Sequence, residues 1–215
     1  MIKLDPTNLP KDTSMAYGNK QGGIKLWRTK DEDGNFPDLA EDDLKRISER
    51  AFNYCIWHLG ESNKTRKQLH DKMRDRNCPD DIIESTLDKL EEMKYLSDAQ
   101  YAKNFVESKQ TYKNVGQRKI AQDLRQKGIP QDIIENAFEE NTEDDERERA
   151  KELLSKRMRS TRNVERQKRI NRLVGYLSRN GYNGSMAFSV VKEAIDAESD
   201  EEMGEFEGSD DLADD

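Results

Sequence analysis

Apolar residues return at spacings of three and four from Leu44 to about Ala197, the pattern of successive amphipathic helices. The clearest stretch is Gln117 to Phe138, QRKIAQDLRQKGIPQDIIENAF. Ile120 and Leu124 lie four apart on one face of a first helix, and Ile133, Ile134, Ala137 and Phe138 form the inward stripe of a second. Gly128 between them suits the left-handed backbone that ends a helix, and Pro130 suits the first turn of the next.

The same unit recurs on both sides. Arg66 to Leu87 superposes on Gln117 to Phe138 at a constant offset of 51, with Pro79 on Pro130, Ile82 and Ile83 on Ile133 and Ile134, and Leu69 and Met73 on Ile120 and Leu124. A further offset of 53 brings Leu173, Leu177 and Gly181 onto Ile120, Leu124 and Gly128. The turn position therefore holds Asn77, Gly128 and Gly181, and asparagine is the non-glycine residue that best tolerates a left-handed backbone. Each hairpin follows its own first helix: Ala51 to Leu59 ended by Gly60, a helix begun by a Ser97–Gln100 capping box, and Asp144 to about Met158. Thr65 with Gln68 predicts another capping box. The chain is read as all-α, three tandem three-helix repeats at 44–95, 96–141 and 142–196.

The ends depart from this period. Residues 1–43 mix Pro6, Pro10, Gly18, Gly22, Gly23, Gly34 and Pro37 with polar residues, predicting a disordered or weakly structured extension in which only Ile24 to Trp27 suits a short strand. No Lys-Ser/Thr follows Gly22 and Gly23 at phosphate-loop spacing. Residues 197–215 carry ten acids and no Lys or Arg, predicting an acidic disordered tail.

Composition sharpens this picture. With 33% hydrophobic and 38% charged residues among 215, and a mean hydropathy of -1.13, the chain has material for lean helical cores rather than one large one. The net charge of -8 is unevenly spread: the tail's ten acids and a net -3 on residues 1–43 leave the body, 44–196, at +5. No apolar run of transmembrane length or signal-peptide core exists, which predicts a cytoplasmic protein with no membrane partner. Cys55 and Cys78 fall at apolar helical positions, consistent with a reduced, metal-free interior. His58 and His70 are twelve apart on different predicted helices with no ligand set around them, so the chain is read as non-enzymatic and without cofactors.

The remaining chemistry is cationic. Lys156 to Arg179 contains nine basic residues against the single acid Glu165. A helical wheel puts Lys168, Arg172 and Arg179 opposite the apolar stripe, with Arg169 on the flank. Arg118 and Arg125, seven apart, share an outward face in the middle copy, and Lys67 and Arg74 occupy the matching positions in the first. These eight residues are the candidate contacts to a polyanion or acidic partner, of the salt-sensitive kind that carries little sequence information. The tail either shields this ridge, competes with nucleic acid for it, or keeps the protein soluble.

Leu96 to Val106 (LSDAQYAKNFV), Gly116 to Phe138 and Tyr176 to Asn183 (YLSRNGYN) together resemble the RecX family over about Ile47 to Ile195. The resemblance implies an elongated, curved array of three-helix repeats that lodges in the groove of a RecA filament on DNA, blocking its extension or promoting its disassembly and so restraining strand exchange and SOS coprotease activity. Where the family commonly ends its first helix on a basic pair, this chain has His58-Leu59-Gly60-Glu61. A second reading is a DNA-binding module acting directly on single- or double-stranded DNA through its basic faces. The repeats need no symmetry partner to bury their cores, which predicts a monomer.

Overall fold

The computed structural model describes residues 27–207, with side chains through Ser199; Ile24 to Leu26 of the expected strand, and the tail beyond Glu207, lie outside the described residues. Among the described residues the α-helices follow in the order α1 (Glu41–Glu61), α2 (Arg66–Arg74), α3 (Asp80–Glu92), α4 (Asp98–Lys113), α5 (Gln117–Gln126), α6 (Gln131–Asn136), α7 (Glu143–Met158), α8 (Arg166–Arg179) and α9 (Gly184–Glu207), with a 3-10 turn at Arg159–Thr161. Among the described residues there is no strand, and the fold is all-α.

The predicted helix starts have their local cause. Thr65 accepts the Gln68 amide while the Gln68 side chain takes the Thr65 amide, and Thr142 and Asp145 repeat this reciprocal cap at α7. At α4 the Gln100 amide donates to the Ser97 hydroxyl. Asn77, Gly128 and Gly181 all have positive φ, at 57°, 82° and 95°. Gly60 lies inside α1, which ends one residue later, at Glu61.

The chain divides into two compact units, one holding residues up to Ala102 with Arg125–Ile133, the other Lys103–Leu124 and the residues from Ile134 on. In the first, α1, α2 and α3 close over Ala51, Cys55, Leu69, Met73, Ile83 and Leu90, each inaccessible to solvent. In the second, α7, α8 and α9 close over Ala150, Leu173, Leu177, Ala187, Val190 and Val191. Burying each large aliphatic side chain contributes about 1.5–3 kcal/mol, and these side chains make up most of both cores.

Main-chain hydrogen bonds join the repeats at equivalent places. The carbonyl before each left-handed residue is an acceptor: Lys127 receives the Thr65 hydroxyl at 2.7 Å, and Asn180 receives the Gly116 amide at 2.8 Å. The next repeat's first helix adds a carboxylate to the first amide of the hairpin. Asp98 takes the Arg66 N–H at 2.8 Å, and Glu146 takes the Gln117 N–H at 3.0 Å. Both junctions fall within a single unit, the first in the N-terminal unit and the second in the C-terminal one.

The described residues reach into both expected extensions. Residues 27–40 form neither helix nor strand, yet they dock on the first repeat. The Trp27 amide donates to the Arg76 carbonyl at 2.7 Å, Trp27 meets Tyr54 edge-on at 5.5 Å, and Arg28 and Asn77 exchange hydrogen bonds. At the other end α9 continues to Glu207, so residues 197–207 are helical rather than part of a disordered tail, because Asp196 and Glu198 find basic partners on α8 and the segment before it.

Candidate partner-binding interface

Seven of the eight cationic candidates are exposed. On α2, Lys67 and Arg74 face solvent: Lys67 pairs with Asp71 at 2.6 Å, and its aliphatic stem packs on Gly128, whose Cα leaves no room for a methyl group there. Arg125, in the same unit, turns its Nε to Gln131 at 2.9 Å. In the C-terminal unit Arg118 lies exposed in the first turn of α5. On α8, Lys168 pairs with Glu165 at 3.0 Å, and Arg172 and Arg179 project outward, the latter folded back over Gly175. Arg74, Arg118, Arg172 and Arg179 make no ion pair among the described residues.

Arg169 is the exception. Placed on the flank of the ridge by the helical wheel, it is 8% exposed. Its guanidinium donates to Glu198 at 2.5 Å, to the Met158 carbonyl and to the Thr161 hydroxyl. The reason lies in the lengths of the helices. Position 169 is equivalent to Thr65 and Gly116, which start their hairpins, but α8 begins at Arg166 and carries Arg169 inside the helix, under the extension of α9.

The basic stretch before α8 gathers a second group. Lys156 and Arg159 are exposed, and Arg162 donates to Glu198 at 2.6 Å. The hydrogen bond from Arg162, and after it that from Arg169, hold the Glu198 carboxyl below the ordinary carboxylate range against the effect of desolvation. Together with Met158, Ala194 and Ala197 these residues line an open cleft of about 670 Å³. Charge density marked this stretch in the sequence, but its acidic partner sat in a segment without hydrophobic period.

Elsewhere the titratable groups are structural. Cys55 and Cys78 are buried and free, and burial pushes both thiols up to about 12. Among the described residues no group of three or more His, Cys, Asp or Glu is placed to hold a metal ion, and no helix is long and apolar enough to cross a membrane.

The fold and its exposed cations define a tandem set of three-helix units whose second helices, α2, α5 and α8, carry the basic positions. The family profile for the first RecX three-helix domain matches residues 51–90, that for the second 97–137, and that for the third 143–191. The chain belongs to the RecX family. It is 34% identical over 153 residues to the regulatory protein RecX of Streptomyces lividans, covering 71% of this chain and 81% of that one. It is 34% identical over 149 residues to that of Thermobifida fusca, covering 69% and 80%. Two crystal structures share the fold at 24% identity: one of a regulatory protein RecX, with a TM-score of 0.64 over 74% of this chain and 80% of that one, and one of RecX from Lactobacillus salivarius, with 0.63 over 72% and 97%. The Streptomyces lividans and Thermobifida fusca relatives are both named as regulatory proteins.

Proposed function

We propose that the chain binds the RecA recombinase filament on DNA and inhibits its extension, with the loss of ATP hydrolysis, strand exchange and SOS coprotease activity that follows. The observation that carries this reading, beside family membership, is the recurrence of outward cation pairs seven residues apart on the second helix of each repeat: Lys67 and Arg74, Arg118 and Arg125, and, one residue later in register, Arg172 and Arg179. A repeated protein lattice on a polyanion is the partner such a spacing suits, since each repeat meets a like environment.

The test is RecA ATP hydrolysis on single-stranded DNA with the purified chain titrated in. Inhibition is expected at concentrations far below those that coat the bare DNA. Inhibition that appears only at DNA saturation would sink the filament reading and leave a direct DNA-binding module. A chain shortened after Glu207 isolates the acidic terminus without removing Glu198 from Arg169. Changing Lys168, Arg172 and Arg179 together to Glu is expected to weaken inhibition at unchanged thermal stability; full inhibition by that variant moves the contact to Arg118 and Arg125.

A further inference from the structure

The cleft beside the third repeat is built around a carboxylate that bridges two arginines. Glu198 gives one oxygen to Arg162 and the other to Arg169, while Asp196, two residues earlier on α9, pairs with Arg166 and Glu193 pairs with Arg147. Acidic residues of α9 are thus held by arginines of α7, of α8 and of the segment between them. A carboxylate shared between two guanidinium groups presents what a phosphodiester presents, two anionic oxygens in one plane, and arginine recognises both by the same fork. Around Glu198, Lys156 and Arg159 add exposed positive charge at the mouth, while Met158, Ala194 and Ala197 supply an apolar wall. The volume of about 670 Å³ suits a nucleotide with its sugar. A recessed apolar wall favours a single strand, whose sugars and bases are free to turn inward, over a duplex, which presents only its outer backbone.

We propose that this cleft is a phosphodiester subsite for single-stranded nucleic acid, and that Glu198 occupies it as an internal competitor, so that α9 restrains nucleic-acid binding by the third repeat. Releasing Glu198 opens the place of its carboxylate, beside Arg162 and Arg169, to a backbone phosphate, with Lys156 and Arg159 placed to take its neighbours. Salt weakens the internal clamp and the nucleic-acid contact alike, but the strand gains counterion release and the clamp does not.

The experiment is fluorescence anisotropy of a labelled oligothymidylate with the full chain, read across a salt series. Glu198→Gln is expected to tighten binding roughly three- to ten-fold and to steepen the salt slope by about 0.7, the value of one added single-strand phosphate contact. Lys156→Ala with Arg159→Ala, both at exposed positions, is expected to weaken binding and flatten the slope by about 1.4, and to abolish the gain when combined with Glu198→Gln. Unchanged affinity in a folded Glu198→Gln chain overturns the proposal, as does a gain that survives the double substitution, a gain seen for duplex but not single strand, or one seen for a poly-glutamate chain in place of the oligonucleotide. If Glu198→Gln melts early because Arg169 loses its charge partner, the Lys156 and Arg159 double variant decides alone: unchanged binding and slope overturn the proposal. RecA ATP hydrolysis measured with the same variants separates the two readings. A wild-type chain that fails to inhibit RecA sinks the filament reading, while the oligonucleotide outcomes stand or fall independently.

Discussion

Arg169 and Arg172 lie one turn apart on α8 and carry the same side chain, yet one is buried under α9 and the other faces solvent. Arg169→Ala removes a buried guanidinium with its hydrogen bonds to Glu198, the Met158 carbonyl and the Thr161 hydroxyl, while Glu198 keeps Arg162, so the variant is expected to cost about 2–3 kcal/mol in urea unfolding, whereas Arg172→Ala stays within about 0.5 kcal/mol. Equal midpoints for the two variants would contradict the buried pair. A helical wheel cannot separate these residues, because the partner that buries Arg169 stands 29 positions away, in a segment with no hydrophobic period. His58 poses a similar problem: the sequence shows only that it has no ligand set around it, and its surroundings in the fold set its titration. Burial, and after it the charges of Lys72, Lys64 and Arg76, lower its pKa from 6.5 to about 4, and its Nε2 has no hydrogen-bond partner among the described residues. Between these two values the unfolded chain binds the proton and the folded chain does not, so stability rises with pH across the window and is lost as pH falls through it. The expected loss is on the order of 2 kcal/mol between pH 6.5 and 4. A His58→Gln chain should lack that component of the slope; a slope identical to the parent's would show that His58 titrates normally.

At the scale of helices and turns, local demands were legible and junctions were not. A left-handed residue after the second helix announces itself through glycine or asparagine, because few other side chains tolerate that backbone. Capping boxes are equally local, three residues from donor to acceptor. The hydrogen bonds that fix one repeat on the next join residues 29 to 64 positions apart and use main-chain atoms at one or both ends, so no residue type advertises them. They nevertheless set the order of sensitivity among the glycines. At Gly128 an added methyl group would meet the side chain of Lys67, at 2.3 Å from its Cδ; at Gly181 it would meet the Lys119 amide nitrogen at 2.6 Å and the Gly116 carbonyl oxygen at 2.8 Å. The outer stem of Lys67 can move, but its Cβ, 2.5 Å from the added methyl group, is tied to the backbone; at Gly181 main-chain atoms of two residues stand in the way as well. Gly128→Ala is therefore expected to cost more than the about 1 kcal/mol of its left-handed backbone alone, about 2 kcal/mol, and Gly181→Ala at least about 3 kcal/mol, measured by thermal or urea unfolding. Gly116 has no positive φ, but a methyl group added there would meet the Gly181 carbonyl carbon at 2.5 Å, so its alanine variant should group with Gly181 rather than Gly128. Equal costs at Gly128 and Gly181 would remove the distinction.

Across the whole molecule, a repeat array must finish its ends, since a terminal repeat lacks the neighbour that would cover its junction surface. The periodic core, legible from Leu44 to Ala197, stops short of both solutions. At the C-terminal end α8 starts a turn early and α9 runs on, filling with Arg169 and Glu198 the place where a fourth repeat would dock. At the N-terminal end the Trp27 amide donates to the Arg76 carbonyl, the position equivalent to Lys127 and Asn180, so a segment without helix makes the bond that Thr65 and Gly116 make between repeats. Proline, glycine and polar residues around it read as linker because the segment has no period of its own; it borrows its order from the repeat beneath. Trp27 anchors it, edge-on to Tyr54 and beneath the Arg50 guanidinium at 5.8 Å, while Arg28 lies over Phe36 at 4.2 Å and donates to the Asn77 carbonyl. Trp27→Ala removes the aromatic contact and part of the burial but keeps the amide, and is expected to cost about 2 kcal/mol; Arg28→Ala removes one side-chain hydrogen bond and a cation–π contact, and is expected to cost about 1 kcal/mol. Hydrogen exchange reads the same event locally. In the Trp27→Ala chain the amides of Asn77 and Cys78 should exchange faster while those of Leu173 and Leu177, in the core of the C-terminal unit, keep their protection. Unaltered exchange at Asn77 would mean that the segment rests on the first repeat without finishing it.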